Sequence, residues 1–220
     1  MMLNILFDNR IKAICPQMKI AVVRANVQNT PTCNDMWSEL TNKCNQIKDN
    51  YKLLEINNRP AIATTRELYK KLGKDPNRYR VSSEALCRRA IKGMELYRIN
   101  TLVDIINLVS ITSGYAIGGF DADMINGDLA LGVGLKDERF EAIGRGLLNI
   151  ENLPIYRDSI GGIGTPTSDE ERTKITLNTT HIHININAFS QEMPLDETIN
   201  YTTHLLIKYA KATNITTDIL

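Results

Sequence analysis

The chain has 220 residues, 43% of them hydrophobic and 23% charged, with 26 lysines and arginines against 25 aspartates and glutamates. That balance excludes a chain-wide polybasic or polyacidic protein, so any nucleic-acid contact must come from a local patch. At this length one domain can bury a core without metal or disulfide support, and the four cysteines, Cys15, Cys33, Cys44 and Cys87, form no C-x-x-C pair.

The apolar start, from Met1 to Asp8, has no basic flank before it and no small-residue cleavage site after it. No apolar run approaches the ~20 residues that span a bilayer. The expectation is a cytoplasmic protein with no membrane partner. Residues Lys19 to Val27 are rich in β-branched side chains and read as a strand that Thr30-Pro31 ends. Asn34 to Leu54 reads as a helix, with Trp37, Leu40, Cys44, Ile47 and Tyr51 recurring at threes and fours. Ile62 to Leu72 reads as a second helix, with Thr64 and Glu67 at capping-box spacing and Gly73 as its stop. A third runs from Ser82 to Lys92, and a fourth opens at Thr101 and Asp104 and ends at Gly114. The fourth is apolar on nearly every side, which predicts packing on several faces.

Beyond Gly114 the period changes. Leu129, Leu131, Val133 and Leu135 alternate with Ala130, Gly132 and Gly134, the pattern of a half-buried strand with another backbone close by. Lys174 to Leu177 reads as a short strand. His181 to Ala188 alternates strictly, Ile182, Ile184 and Ile186 on one face and His181, His183, Asn185 and Asn187 on the other. Ile199 to Ala212 reads as a closing helix. Helices first, strands second and a helix last predict an α+β fold with a mostly antiparallel, multi-strand core. The expected organisation is a single domain over 1–220: a strand-and-helix extension over 1–59, a central region over 60–190 and a C-terminal helix over 191–220.

Four features carry chemistry. Between residues 66 and 98, Arg66, Lys70, Lys71, Lys74, Arg78, Arg80, Arg88, Arg89, Lys92 and Arg98 face only Glu67, Asp75, Glu84 and Glu95. Such a cationic field holds phosphates through counterion release, and Tyr69, Tyr79 and Tyr97 among the charges can stack on bases; a solvated helical face gives the same pattern. His181 and His183 share a strand face about 7 Å apart along the strand. The only other histidine is His204, so a polar strand face, exposed or lining a pocket, is the simpler reading, and no metal or other cofactor is expected. Gly118-Gly119-Phe120-Asp121 permits close backbone approach to a ligand and supplies a carboxylate, or is simply a turn. The loop Gly161-Gly162-Ile163-Gly164-Thr165-Pro166-Thr167-Ser168-Asp169 offers backbone amides to an anion or oxyanion but matches neither a Walker loop nor a dinucleotide fingerprint.

Taken in order, Asn77 to Arg89, Ile99 to Asn107, Gly118 to Asp123, Gly127-Asp128 and Thr167 to Thr173 resemble the B-three/B-four domain of the bacterial phenylalanyl-tRNA synthetase beta subunit. They resemble still more the free-standing proteins built from that domain alone. The resemblance implies a pocket between sheet and helices, tRNA or aminoacyl-tRNA as partner, and hydrolysis of a wrong aminoacyl ester in trans. It places Asn107, Gly118, Gly119, Gly161, Gly162 and Asn185 in the pocket wall, and Asp121 and His183 as the groups that position water. Arg78, Arg80, Arg88, Arg89 and Lys92 would hold the tRNA. Gly118 stands where the synthetase has a histidine, and no glutamate lies between His183 and Asn187, so tyrosine specificity does not carry over. A non-catalytic RNA-binding module and an amino-acid-binding protein remain as alternative readings of the same residues.

Overall fold

The structure, a computed structural model, describes residues 5–190 and 192–220. Of the apolar start, residues 1–4 lie outside it. The chain runs β1 (Ile5–Phe7), α1 (Asn9–Ile14), β2 (Lys19–Asn26), α2 (Asn34–Asn50), α3 (Pro60–Lys71), α4 (Ser82–Ile91), α5 (Thr101–Ser113) and β3 (Ala116–Asp121). It continues with β4 (Leu129–Val133), β5 (Glu141–Ala142), β6 (Gly146–Leu147), β7 (Pro154–Arg157), β8 (Gly162–Gly164), β9 (His181–Ala188), α6 (Leu195–Ala210) and β10 (Thr213–Ile219).

The strands form two four-stranded sheets and a small hairpin. The first sheet has the order β10-β2-β9-β3 and is antiparallel throughout. The second has the order β1-β4-β7-β8, antiparallel except where β1 pairs with β4. The fold is α+β with a mostly antiparallel core. The alternation of β9 explains the layering. Ile182, Ile184 and Ile186, with Ala21, Val23 and Ala25 of β2, join the core under the helices. Ile20, Val22 and Phe120 point the other way, onto Leu129, Leu131 and Val133 of the second sheet. α5 is apolar on nearly all sides because it packs among α2, α4, α6 and β3.

The helix ends show what local sequence does and does not determine. Gly114 ends α5 in the left-handed region at φ 80°, where a glycine carries no Cβ penalty. The α5 cap is Asn100, whose side chain accepts from the Val103 amide at 3.0 Å, so Asp104 is free to accept from Thr32 inside the core. The capping box expected at Thr64 and Glu67 does not form. α3 starts four residues earlier with Pro60 in its first turn, a residue already set to helical φ. Its free amide at Ala61 is met by Glu192 at 3.0 Å, a carboxylate from far along the chain that also pairs with Arg59 at 2.6 Å.

Two other expectations change. Residues 174–177 form no strand; Thr176 and Thr179 close a turn there through side-chain and backbone bonds, which compete with strand pairing. The C-terminal segment adds β10 after the expected helix. No helix among the described residues is long and apolar enough to cross a membrane.

The close backbone expected beside the 129–135 strand is found at Gly134. A methyl group built there would overlap the Ile150 carbonyl, and that carbonyl belongs to rigid backbone. Gly134→Ala should therefore destabilise the fold by about 2 kcal/mol or more, a fall in Tm of at least about 4 °C in thermal unfolding. An unchanged Tm would show that the 134 and 150 segments do not pack this way.

Candidate functional site

The basic segment divides into structural and surface charges. Arg66 is buried on α3 and donates to Glu84 at 2.8 Å, to Asn77 and to the Pro76 carbonyl. Lys74 is buried as well and donates to the carbonyls of Asn149 and Glu151 at 2.9 and 2.6 Å. Arg98 ties the loop after α4 to Thr32 and Asn34. These three hold elements together.

Of the remaining cations, Lys70 and Lys71 are on α3, while Arg78 and Arg80 stand in the loop before α4, Lys92 at its end, and Arg88 and Arg89 on α4 itself. That helix turns Ser83, Glu84, Cys87 and Ala90 inward, at spacings that share one helical face, and leaves Arg88 and Arg89 toward the surface. Glu84 is fully buried and takes three guanidinium groups, Arg66 at 2.8 Å, Arg80 at 3.3 Å and Arg88 at 3.9 Å. One carboxylate cannot neutralise three cations, so the outer two carry net positive charge to the surface. They line a groove of about 440 Å³ together with Arg89, Lys92 and Arg145. Asn107 of α5, Ser82 and Thr167 add polar groups, Met94 and Tyr97 add apolar surface, and no carboxylate among the described residues lines the groove. The side chains of Lys92 and Arg145 make no ion pair or hydrogen bond among the described residues.

Four of the five expected RNA contacts, Arg80, Arg88, Arg89 and Lys92, thus meet in one groove, and Asn107, expected in the ligand pocket, meets them there. Arg78 lies outside that lining, 5.7 Å from the Tyr79 ring centroid. Arg145 and Ser82 were missed, because Arg145 arrives from a distant turn and Ser82 was read only as a helix opener.

The other expected site residues lie elsewhere. His183 faces the second sheet, fully buried, 6.2 Å from the Phe120 ring. From His183 to Asn187 the strand face expected to be exposed or to line a pocket is instead sealed between the sheets. Arg24 Nε donates to His183 Nδ1 at 3.0 Å, so Nε2 carries the proton and donates to Asn185 Oδ1 at 2.7 Å. Burial and the adjacent Arg24 guanidinium push its pKa down to about 4, so the ring is neutral at pH 7. Asn187 accepts from the Tyr156 hydroxyl at 2.6 Å, while the buried Asn185 amide nitrogen has no partner among the described residues.

Asp121 pairs in register with Ile182 and so lies on the helix side of the sheet, opposite to His183. Its two oxygens accept from the Asp123 amide and the Thr179 hydroxyl at 3.1 and 2.7 Å. The expected pair therefore does not meet. His181 is at the exposed end of β9 and bonds Asp123 at 2.8 Å, apart from His183. Gly119 lets Ile106 of α5 pack on β3, and Gly162 is filled by Ile155 and Phe140. The amides of the Gly161 turn already have an anion. Asp158 accepts from Ile160 and Gly161 at 2.9 and 3.1 Å and from Arg172 at 2.9 and 3.0 Å. Burial opposes the Asp158 carboxylate, but Arg172 and the backbone amides outweigh it and hold its pKa low.

One carboxylate had no role in the sequence reading. Asp169 sits against Gly118 and Gly164, where added Cβ atoms would lie 3.5 and 2.7 Å from its Oδ1. Among the described residues its carboxylate accepts one hydrogen bond, from the Gly119 amide at 3.2 Å. Desolvation pushes its pKa up to about 7, with that amide acting in the other direction.

A model of the B3/4 domain family matches residues 64–213, well over half of the chain, which therefore belongs to that family. This is the tRNA synthetase-related domain that the motifs resemble, and the match extends past residue 190 through α6. The chain is also similar to an N-terminal fragment of the phenylalanyl-tRNA synthetase beta-subunit from Pyrococcus horikoshii. The identity is 16%, over 96% of this chain and 50% of that one, with a TM-score of 0.48. The chain thus spans about half the length of that fragment. No curated protein matches it.

Asp169 and His183 affect stability with opposite signs. An unfolded aspartate ionises near pH 4, so between pH 4 and about 7 the folded chain binds the extra proton, and this group's contribution falls as pH rises. The unfolded imidazole binds a proton below pH ~6.5 that the folded one refuses until about 4, so the His183 contribution falls as pH drops through that window. Asp169→Asn fixes the uncharged form. Its Tm relative to wild type should be higher at pH 8 than at pH 5; an equal difference at both would contradict the raised carboxyl.

Proposed function

We propose that this B3/4 domain binds aminoacyl-tRNA in the α4 groove and hydrolyses a wrong aminoacyl ester in trans. The observation that carries the reading is the groove itself: Arg80, Arg88, Arg89, Lys92 and Arg145 line it with no carboxylate among its described lining residues. A polyanion is the ligand such a surface selects, because each phosphate it neutralises releases counterions. The Asn107 amide and the Ser82 hydroxyl line the same groove, and neither side chain is engaged elsewhere among the described residues. They supply donors where the ester of a bound tRNA end would lie. In the reaction water adds to the ester carbonyl carbon, the bond from that carbon to the ribose oxygen breaks, and the amino acid leaves from a ribose hydroxyl. Positioned water and oxyanion donors are sufficient for this, with no side-chain nucleophile.

A second reading is binding without turnover. It is favoured by the commitments of Asp121 and His183, which lie on opposite faces of the first sheet with their polar atoms already bonded.

The test of the groove is a titration of aminoacyl-tRNA across a salt series. Lys92→Ala with Arg145→Ala should weaken binding about tenfold at low salt and reduce the slope of log K against log salt by roughly 2. Unchanged affinity and slope would remove the groove from the reading.

A further inference from the structure

The three tyrosines of the basic segment have different fates. Tyr69 is fully buried and its hydroxyl bonds Thr167 at 2.9 Å. Tyr79 is half-buried with the Lys74 ammonium 3.9 Å from its centroid. Tyr97 is 69% exposed and lines the α4 groove. The Arg89 guanidinium lies 4.3 Å from the Tyr97 centroid, and Arg89 Nε is anchored to the Glu95 carbonyl at 2.6 Å. The ring is thus backed by a fixed cation while most of its surface meets solvent.

We propose that Tyr97, backed by Arg89, is a stacking platform for one unpaired base, so that the groove takes single-stranded RNA in preference to a duplex. The inference rests on the RNA-binding reading above. Phosphate contacts alone accept paired and unpaired strands alike. An exposed aromatic ring beside them adds a contact that only an unstacked base can make, and the guanidinium extends the stack on the far side. A protein partner would also value an exposed tyrosine, but five cations line the groove with this ring, and a polyanion is the ligand they select.

The experiment compares two RNA hairpins by fluorescence anisotropy, one with a four-nucleotide single-stranded 3′ tail and one blunt. Wild type should bind the tailed hairpin about tenfold more tightly. Tyr97→Ala should lose that preference while keeping its affinity for the blunt hairpin, and Tyr97→Phe should retain it. In Tyr97→Trp the new indole fluorescence should be quenched by the tailed hairpin alone. If Tyr97→Ala keeps the wild-type preference, or wild type shows none, the platform is wrong while the groove reading stands. If wild type binds neither hairpin nor tRNA, the groove reading fails and the platform with it.

Discussion

The buried carboxylate of Glu84 governs the helical layer and its surface chemistry together. A charge this deep is tolerated only when it is paired, and removing either side of such a pair is far more costly than never burying it. Glu84 draws Arg66 from α3, Arg80 from the loop before α4 and Arg88 from the next turn of α4 itself. It thereby fixes how α4 lies against α3. It also sets the sign of the surface above it, since three cations on one anion leave positive charge facing out. The groove is cationic because its wall is built on this excess, and Arg89, Lys92 and Arg145 add to it.

The first sheet separates two kinds of interior. Its helix side is apolar, while the other side carries Arg24, His183, Asn185 and Asn187 into the space between the sheets. Polar groups in such a layer must satisfy one another, and most do. Gly118 and Gly164 make room for this arrangement, because a Cβ at either would crowd the Phe120 ring at 2.8 or 2.7 Å. Asp169 has one backbone amide for compensation among the described residues, and burial raises its pKa to about 7.

Much of the architecture is legible in local pattern. The threefold and fourfold spacing of α2, the uniform apolarity of α5 and the strict alternation of β9 each name their element and its buried face. Parts that depend on remote partners are not legible. β10 is mostly threonine and polar residues and is held by pairing with β2, α1 is too short for a period to show, and the α3 cap comes from Glu192. The site follows the same division. A cluster of cations was visible in the sequence, but nothing local distinguishes Arg66 and Lys74, which hold the core, from Arg89 and Lys92, which line the groove. The glycine loop looked like an anion site, but its first amide, at Gly161, is already taken by Asp158 just before the loop. Asp121 and His183 were grouped by chemistry, whereas strand register, which decides the face of a sheet, places them apart.

Ester loss is the most direct measurement on the central claim. Purified protein would be incubated with correctly and incorrectly charged tRNAs, including phenylalanine tRNA carrying tyrosine, and the aminoacyl ester followed over time. The reading predicts accelerated loss from at least one mischarged species and none from the correctly charged ones. Esters that all decay at the spontaneous rate, with protein saturating the tRNA, would contradict hydrolysis in trans.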